Sequence, residues 1–152
     1  MTTRRETILS MLQLGLEASG RKIERNAPLN DLGGRFLSLR DGGCETIEEF
    51  INPPIYEFVQ RPALVILVAS SDPELAEGPE DAEARAARDR ALDQEIEAVT
   101  GAFEAMANWP GYVTAWRMLP ADFDTHEILG AARMKGCEIP FEIEFWSNRP
   151  NG

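Results

Sequence analysis

One histidine, two cysteines and a scatter of carboxylates are the residues whose types could do chemistry in this chain. His126 stands in Asp122-Phe123-Asp124-Thr125-His126-Glu127, where carboxylates at alternating positions beside an imidazole could meet a metal ion. The same letters fit a polar connection ahead of Ile128 and Leu129, with Asp124 or Thr125 capping a short helix, and that reading is preferred. Nucleophilic catalysis needs a base held against a Ser or Cys, which leaves only His126 with Cys44 or Cys137. There is no G-x-S-x-G elbow, and both cysteines suit small apolar positions, Cys44 beside a turn and Cys137 at the opening of the last strand.

Neither Gly33-Gly34 nor Gly42-Gly43 is followed by a helix carrying Lys and Ser or Thr, so these glycines read as turns and not as phosphate cradles. Glu138, Glu142 and Glu144 alternate along one strand, where solvation of an exposed face explains them better than an acid–base pair. Trp109, Trp116 and Trp146 lack the basic surroundings that base stacking on nucleic acid requires, and read as core or contact residues. The expectation is a chain with no catalytic, cofactor-binding or metal-ligating residues.

The elements that would position these side chains belong to one domain, residues 1–152, since 152 residues with 43% apolar and 27% charged content suit a single folded unit. Fifteen basic against 26 acidic residues leave a net charge of −11, which argues against holding nucleic acid by its phosphates. The longest apolar run, residues 63–69, is too short for a membrane-spanning helix. Arg4 and Arg5 are followed by Glu6 and by interrupted apolar residues, unlike a secretory signal, so a cytoplasmic chain with reduced thiols is expected.

Ile8, Met11, Leu12, Gly15 and Leu16 recur at helical spacing and predict a helix over residues 3–19. A brief strand at 22–25 is expected to partner a strand at 35–40, which Asp41-Gly42-Gly43 should end as a turn. Residues 45–50 could form another strand, Asn52-Pro53-Pro54 must interrupt, and 55–69 reads as one long strand, broken or edge-exposed at Pro62. Leu64 to Val68 are all apolar and call for cover on both faces, from a helix or from a neighbouring subunit. Leu92, Ile96, Val99, Phe103 and Met106 predict a long helix over 82–108, and strands are expected at 112–119 and 138–146. The fold class is therefore α+β, a mostly antiparallel sheet with two helices packed on one face.

Several segments taken together resemble phage and prophage minor tail proteins of the tail-terminator, or tail-completion, family. They are Thr2-Thr3-Arg4-Arg5-Glu6-Thr7-Ile8-Leu9, Glu24-Arg25-Asn26-Ala27-Pro28, Leu39-Arg40-Asp41-Gly42, Tyr56 in the long strand, Ala87-Arg88-Asp89-Arg90-Ala91-Leu92-Asp93, and the closing strand 139–146. The resemblance implies a small domain that assembles as a homo-oligomer, a hexameric ring on the head-proximal end of a tail tube. The ring would stop tube growth and dock to the head connector, with tail-tube and neck proteins as partners, no cofactor and no catalytic residue.

On that reading Tyr56, Phe58, Leu64, Ile66 and Trp146 are the expected subunit contacts, with exposed strand edges near Pro62 and Pro140. The acidic segment 71–81, with Asp72, Glu74, Glu77, Glu80 and Asp81, should line the lumen or an axial surface and keep passing DNA loose by repulsion. A neck or head-closure adaptor is the alternative within the same machinery, and a small enzyme using His126 and nearby acids the alternative outside it.

Overall fold

The computed structural model describes residues 2–27, 35–69, 82–123 and 134–152. Two helices and five strands follow one another as α1 (Arg4–Glu17), β1 (Glu24–Arg25), β2 (Arg35–Ile51), β3 (Pro54–Ala69), α2 (Ala82–Glu104), β4 (Val113–Met118) and β5 (Met134–Ser147). The strands form one sheet in the order β1-β2-β3-β5-β4, antiparallel at every pairing except the short parallel pair of β1 with β2. The chain is thus α+β.

Helix α1 starts where Thr3 leaves the helical conformation and its hydroxyl accepts the Glu6 amide at 3.1 Å. Its buried stripe of Ile8, Leu12 and Leu16 enters the same core as Leu92, Val99 and Phe103 of α2. Both meet one face of the sheet, built from Leu37, Leu39, Phe58, Leu64, Ile66 and Val68 with alternate residues 137–145 of β5. The helices can approach closely because Gly15 has no side chain. A Cβ there would come within 2.5 Å of Met106 Cε.

Three sequence expectations change. Asp41-Gly42-Gly43 does not end a strand, since β2 runs unbroken through it and absorbs one extra residue as a bulge between Arg40 and Gly43. Pro62 does not sit on an edge, because β3 is flanked by β2 and β5. The bulge lies opposite Pro62, where a ladder donor is missing in any case. Pro140 likewise lies inside β5, between β3 and β4, and its carbonyl accepts the Leu119 amide at 2.8 Å.

In the row of glutamates on β5, Glu144 is exposed but Glu142 is less solvated than its letters suggest. Arg61 reaches Glu45 at 2.6 Å and Glu142 at 3.7 Å, while Arg117 reaches Glu142 at 2.5 Å, so opposite charges alternate across β2, β3, β5 and β4.

A second ionic cluster ties α1 to the β1–β2 edge. Arg25 donates to Glu6 at 2.7 Å and to Asp41 at 2.8 Å. The hydrogen bonds from Arg25, helped by its charge, hold the Glu6 carboxyl below its ordinary value against the opposing effect of burial. A carboxyl with a lowered folded-state pKa stabilises above its unfolded value of 4.5, and that stabilisation is lost as pH falls through the folded value. The pair is half exposed, so its contribution is at most about 1 kcal/mol. Arg25→Met is therefore expected to lower the melting temperature at pH 7 and to converge on the wild type near pH 3. Calorimetry across that range checks it, and a gap independent of pH would contradict it.

Candidate functional site

The hairpin β2–β3 is longer than the strands beside it. The pairing of β3 with β5 stops at Tyr56 and Ser147, whereas β2 and β3 remain paired through Phe50 with Ile55 and Ile51 with Pro54, before the turn at Asn52-Pro53. Beyond Tyr56 the sheet is therefore two strands wide, an arm reaching roughly 10 Å past the last β5 pair at about 3.4 Å per residue. Every residue from 45 to 54 is exposed. Among the described residues, no strand lies along the outer edge of β2 beyond its pairing with β1 at Ser38 and Leu39.

Two large apolar side chains sit on this arm, Phe50 at 47% exposure and Ile51 at 86%, and Ile47, 52% exposed, precedes them on β2 where β3 is still paired with β5. Ile47 occupies a second bulge, between Thr46 and Glu48. Pairing places Ile51 and Pro54 on one face of the ribbon and Phe50 and Ile55 on the other, so the tip is apolar on both sides. Glu45, Glu48, Glu49 and Glu57 keep the same hairpin strongly acidic. A two-stranded ribbon with a free edge and an apolar tip is costly in water unless another surface covers it.

The expected contact residues divide in two. Phe58, Leu64 and Ile66 point into the helix-facing core and are buried within the single chain, Phe58 stacked on Phe145 with ring centroids 5.2 Å apart. Val65 and Leu67, on the opposite face of β3, are buried as well. The apolar run that called for cover on both sides has it without a neighbour. Tyr56 is half-buried at the base of the arm. Trp146 is 37% exposed and lies under Arg4, whose guanidinium sits 4.5 Å from the Trp146 ring and 4.4 Å from that of Tyr112 and donates to the Trp146 carbonyl at 2.6 Å. Asp72, Glu74, Glu77, Glu80, Asp81 and His126 lie outside the described residues.

Among the described residues, no three of His, Cys, Asp and Glu come together as a metal-binding group. Cys137 is fully buried in the core, and burial, with the nearby charge of Asp93, pushes its thiol up to about 11. Burial also raises Cys44, partly offset by Arg5. Iodoacetamide at pH 8 is therefore expected to leave Cys137 unmodified in the folded chain, to label Cys44 slowly and to label both rapidly in urea. Mass spectrometry of the two peptides reads this directly, and fast labelling of Cys137 in the folded chain would contradict it.

A second surface is concave. Met11, Gly15 and Ala18 of α1 and its end face Ala102 of α2 and Met106 and Trp109 just beyond it, enclosing about 280 Å³. The Trp109 ring packs against Trp116 at 5.8 Å, but its indole Nε1–H is buried with no acceptor among the described residues. No helix among the described residues is long and apolar enough to cross a membrane. Comparison with protein-family models finds no match for this chain, and comparison with the curated proteins finds none.

Proposed function

We propose that the chain is a structural protein of a phage-like tail or gene-transfer particle. It forms a homo-oligomeric ring, six subunits by family resemblance, that caps the tail tube at its head-proximal end and docks to the head connector. The observation that carries this reading is the hairpin arm, which exposes Phe50 and Ile51 beyond the end of β5, with Ile47 exposed just before it, along an edge of β2 that no strand covers among the described residues, and so is shaped to be covered by another chain. Function lies in surfaces and not in catalysis. The thiols of Cys44 and Cys137 are both held away from the reactive thiolate form, which favours neither as a nucleophile.

A net charge of −11 suits a ring through which DNA passes without being gripped. The protein would be made in the bacterial host cytoplasm and reside in the virion tail. Light scattering combined with negative-stain images of the purified chain tests the proposal. The expected result is a mass several times 16.9 kDa and annular particles. A strictly monomeric mass at high concentration and moderate salt, with no assembly on added tail tubes, would overturn it. Labelling the ring within an assembled particle separates the cap of the tube from a neck adaptor.

A further inference from the structure

We infer that the apolar tip of one copy's hairpin arm docks in the groove between α1 and α2 of the next copy, so that the ring closes by identical arm-to-groove contacts. The inference rests on the ring-forming reading and adds the two surfaces that meet.

Two observations point to a second copy as the occupant. The tip is apolar on both faces, so lying flat on a surface would cover only half of it, whereas insertion into a cleft covers both. The groove is lined mainly by Met and Ala side chains, and at about 280 Å³ it has room for side chains such as Ile51 and Phe50 but none for a helix.

The arm cannot serve its own groove. It continues β2 and β3 beyond the end of β5, where the first turn of α1 lies through Arg4, whereas the groove begins one helical segment further along α1 at Met11. Reaching back would break the Phe50–Ile55 and Ile51–Pro54 pairs. Donor and acceptor are therefore different patches on one chain, and contact between them is head-to-tail, the kind that generates a closed ring when the rotation per subunit permits.

Two variants test this. Ile51→Asp with Phe50→Ser removes the apolar tip, and Ala105→Trp fills the groove at an exposed helix-end position, with Ala18→Arg as a second groove variant should the first not fold. Circular dichroism melts establish that each is folded, and analytical ultracentrifugation reads mass. Each variant alone is expected to sediment as a monomer, with self-association at least tenfold weaker than the wild type. Mixed together, the arm variant still offers a groove and the groove variant still offers an arm, so one contact forms and the mixture stops at a one-to-one dimer. Rings from either folded variant would overturn arm-to-groove docking while leaving the ring reading intact. A wild-type chain that never assembles would overturn both, and monomers without a heterodimer in the mixture would place the contact elsewhere.

Discussion

Removing Arg21 and Arg35 together is expected to cost about 3 to 5 kcal/mol, the range for stranding a buried charge, and much more than the sum of the two single losses. Both reach Glu95, which has no exposed surface, Arg21 Nε at 2.7 Å and Arg35 Nη1 at 2.5 Å. The three residues come from the segment after α1, the start of β2 and the middle of α2, so the carboxylate pins two layers of the fold. Either arginine alone still pairs with Glu95, and each is part-exposed, so a single Arg→Ala change is expected to cost about 1 kcal/mol or less.

With both gone, the buried carboxylate is left without a partner for its charge. Adding Glu95→Met should recover most of the loss at pH 7, because an apolar side chain of similar length leaves nothing charged in the core. Urea midpoints for the singles, the double and the triple close the cycle. Additive single losses, or a triple no more stable than the double, would show that Glu95 is solvated and not buried between the helices and the sheet.

Much of this layout was legible in the residues, for reasons that differ by element. Leu92, Val99 and Phe103 at helical spacing and Ile139, Phe141, Ile143 and Phe145 at strand spacing are repeated local signals, and they enter the core as expected. Glu95 was not foreseen, although its place three residues after Leu92 and four before Val99 puts it inside the apolar stripe, where a charged residue signals a buried partner. The partners were invisible, since Arg21 and Arg35 lie 74 and 60 residues away.

The arm was hidden for a different reason. Phe50 and Ile51 carry the letters of an ordinary half-buried strand, and their exposure follows from β5 ending before β2 and β3 do, which is a property of relative strand length. Conversely Phe58, Leu64 and Ile66 read as contact residues because a continuous apolar run does not say whether its cover is internal. The groove has no linear signature at all. It depends on Gly15, an unremarkable letter in a helix, meeting Met106 from the segment just beyond the other helix.

Gly42 shows how one residue decides between a turn and a bulge, and its replacement by alanine is expected to cost about 2 to 5 kcal/mol. Its φ of +65° lies in the left-handed region, where an L side chain costs roughly 1 to 2 kcal/mol. A Cβ at this position would also overlap the Arg61 carbonyl oxygen, lie 2.7 Å from the carbonyl carbon and approach Pro62 Cα to 3.2 Å. Those atoms belong to the backbone of the central strand and cannot swing aside as a side chain would, which adds overpacking strain of about 1 to 3 kcal/mol. The neighbouring Asp41 carbonyl, turned out of the ladder by the bulge, accepts from Gln60 Nε2 at 2.7 Å, so displacing Gly42 would also strand a buried amide. Gly43 is the control, because nothing lies within 4 Å of a Cβ there and its φ is not positive, so Gly43→Ala should stay within about 0.5 kcal/mol of the wild type. The bulge lies in the strand that runs on into the arm, so Gly42→Ala should also weaken assembly at temperatures where the monomer is still folded. Urea midpoints and sedimentation of the two glycine variants read both effects. Equal stability for Gly42→Ala and Gly43→Ala would mean that β2 turns at this point and does not pass through it.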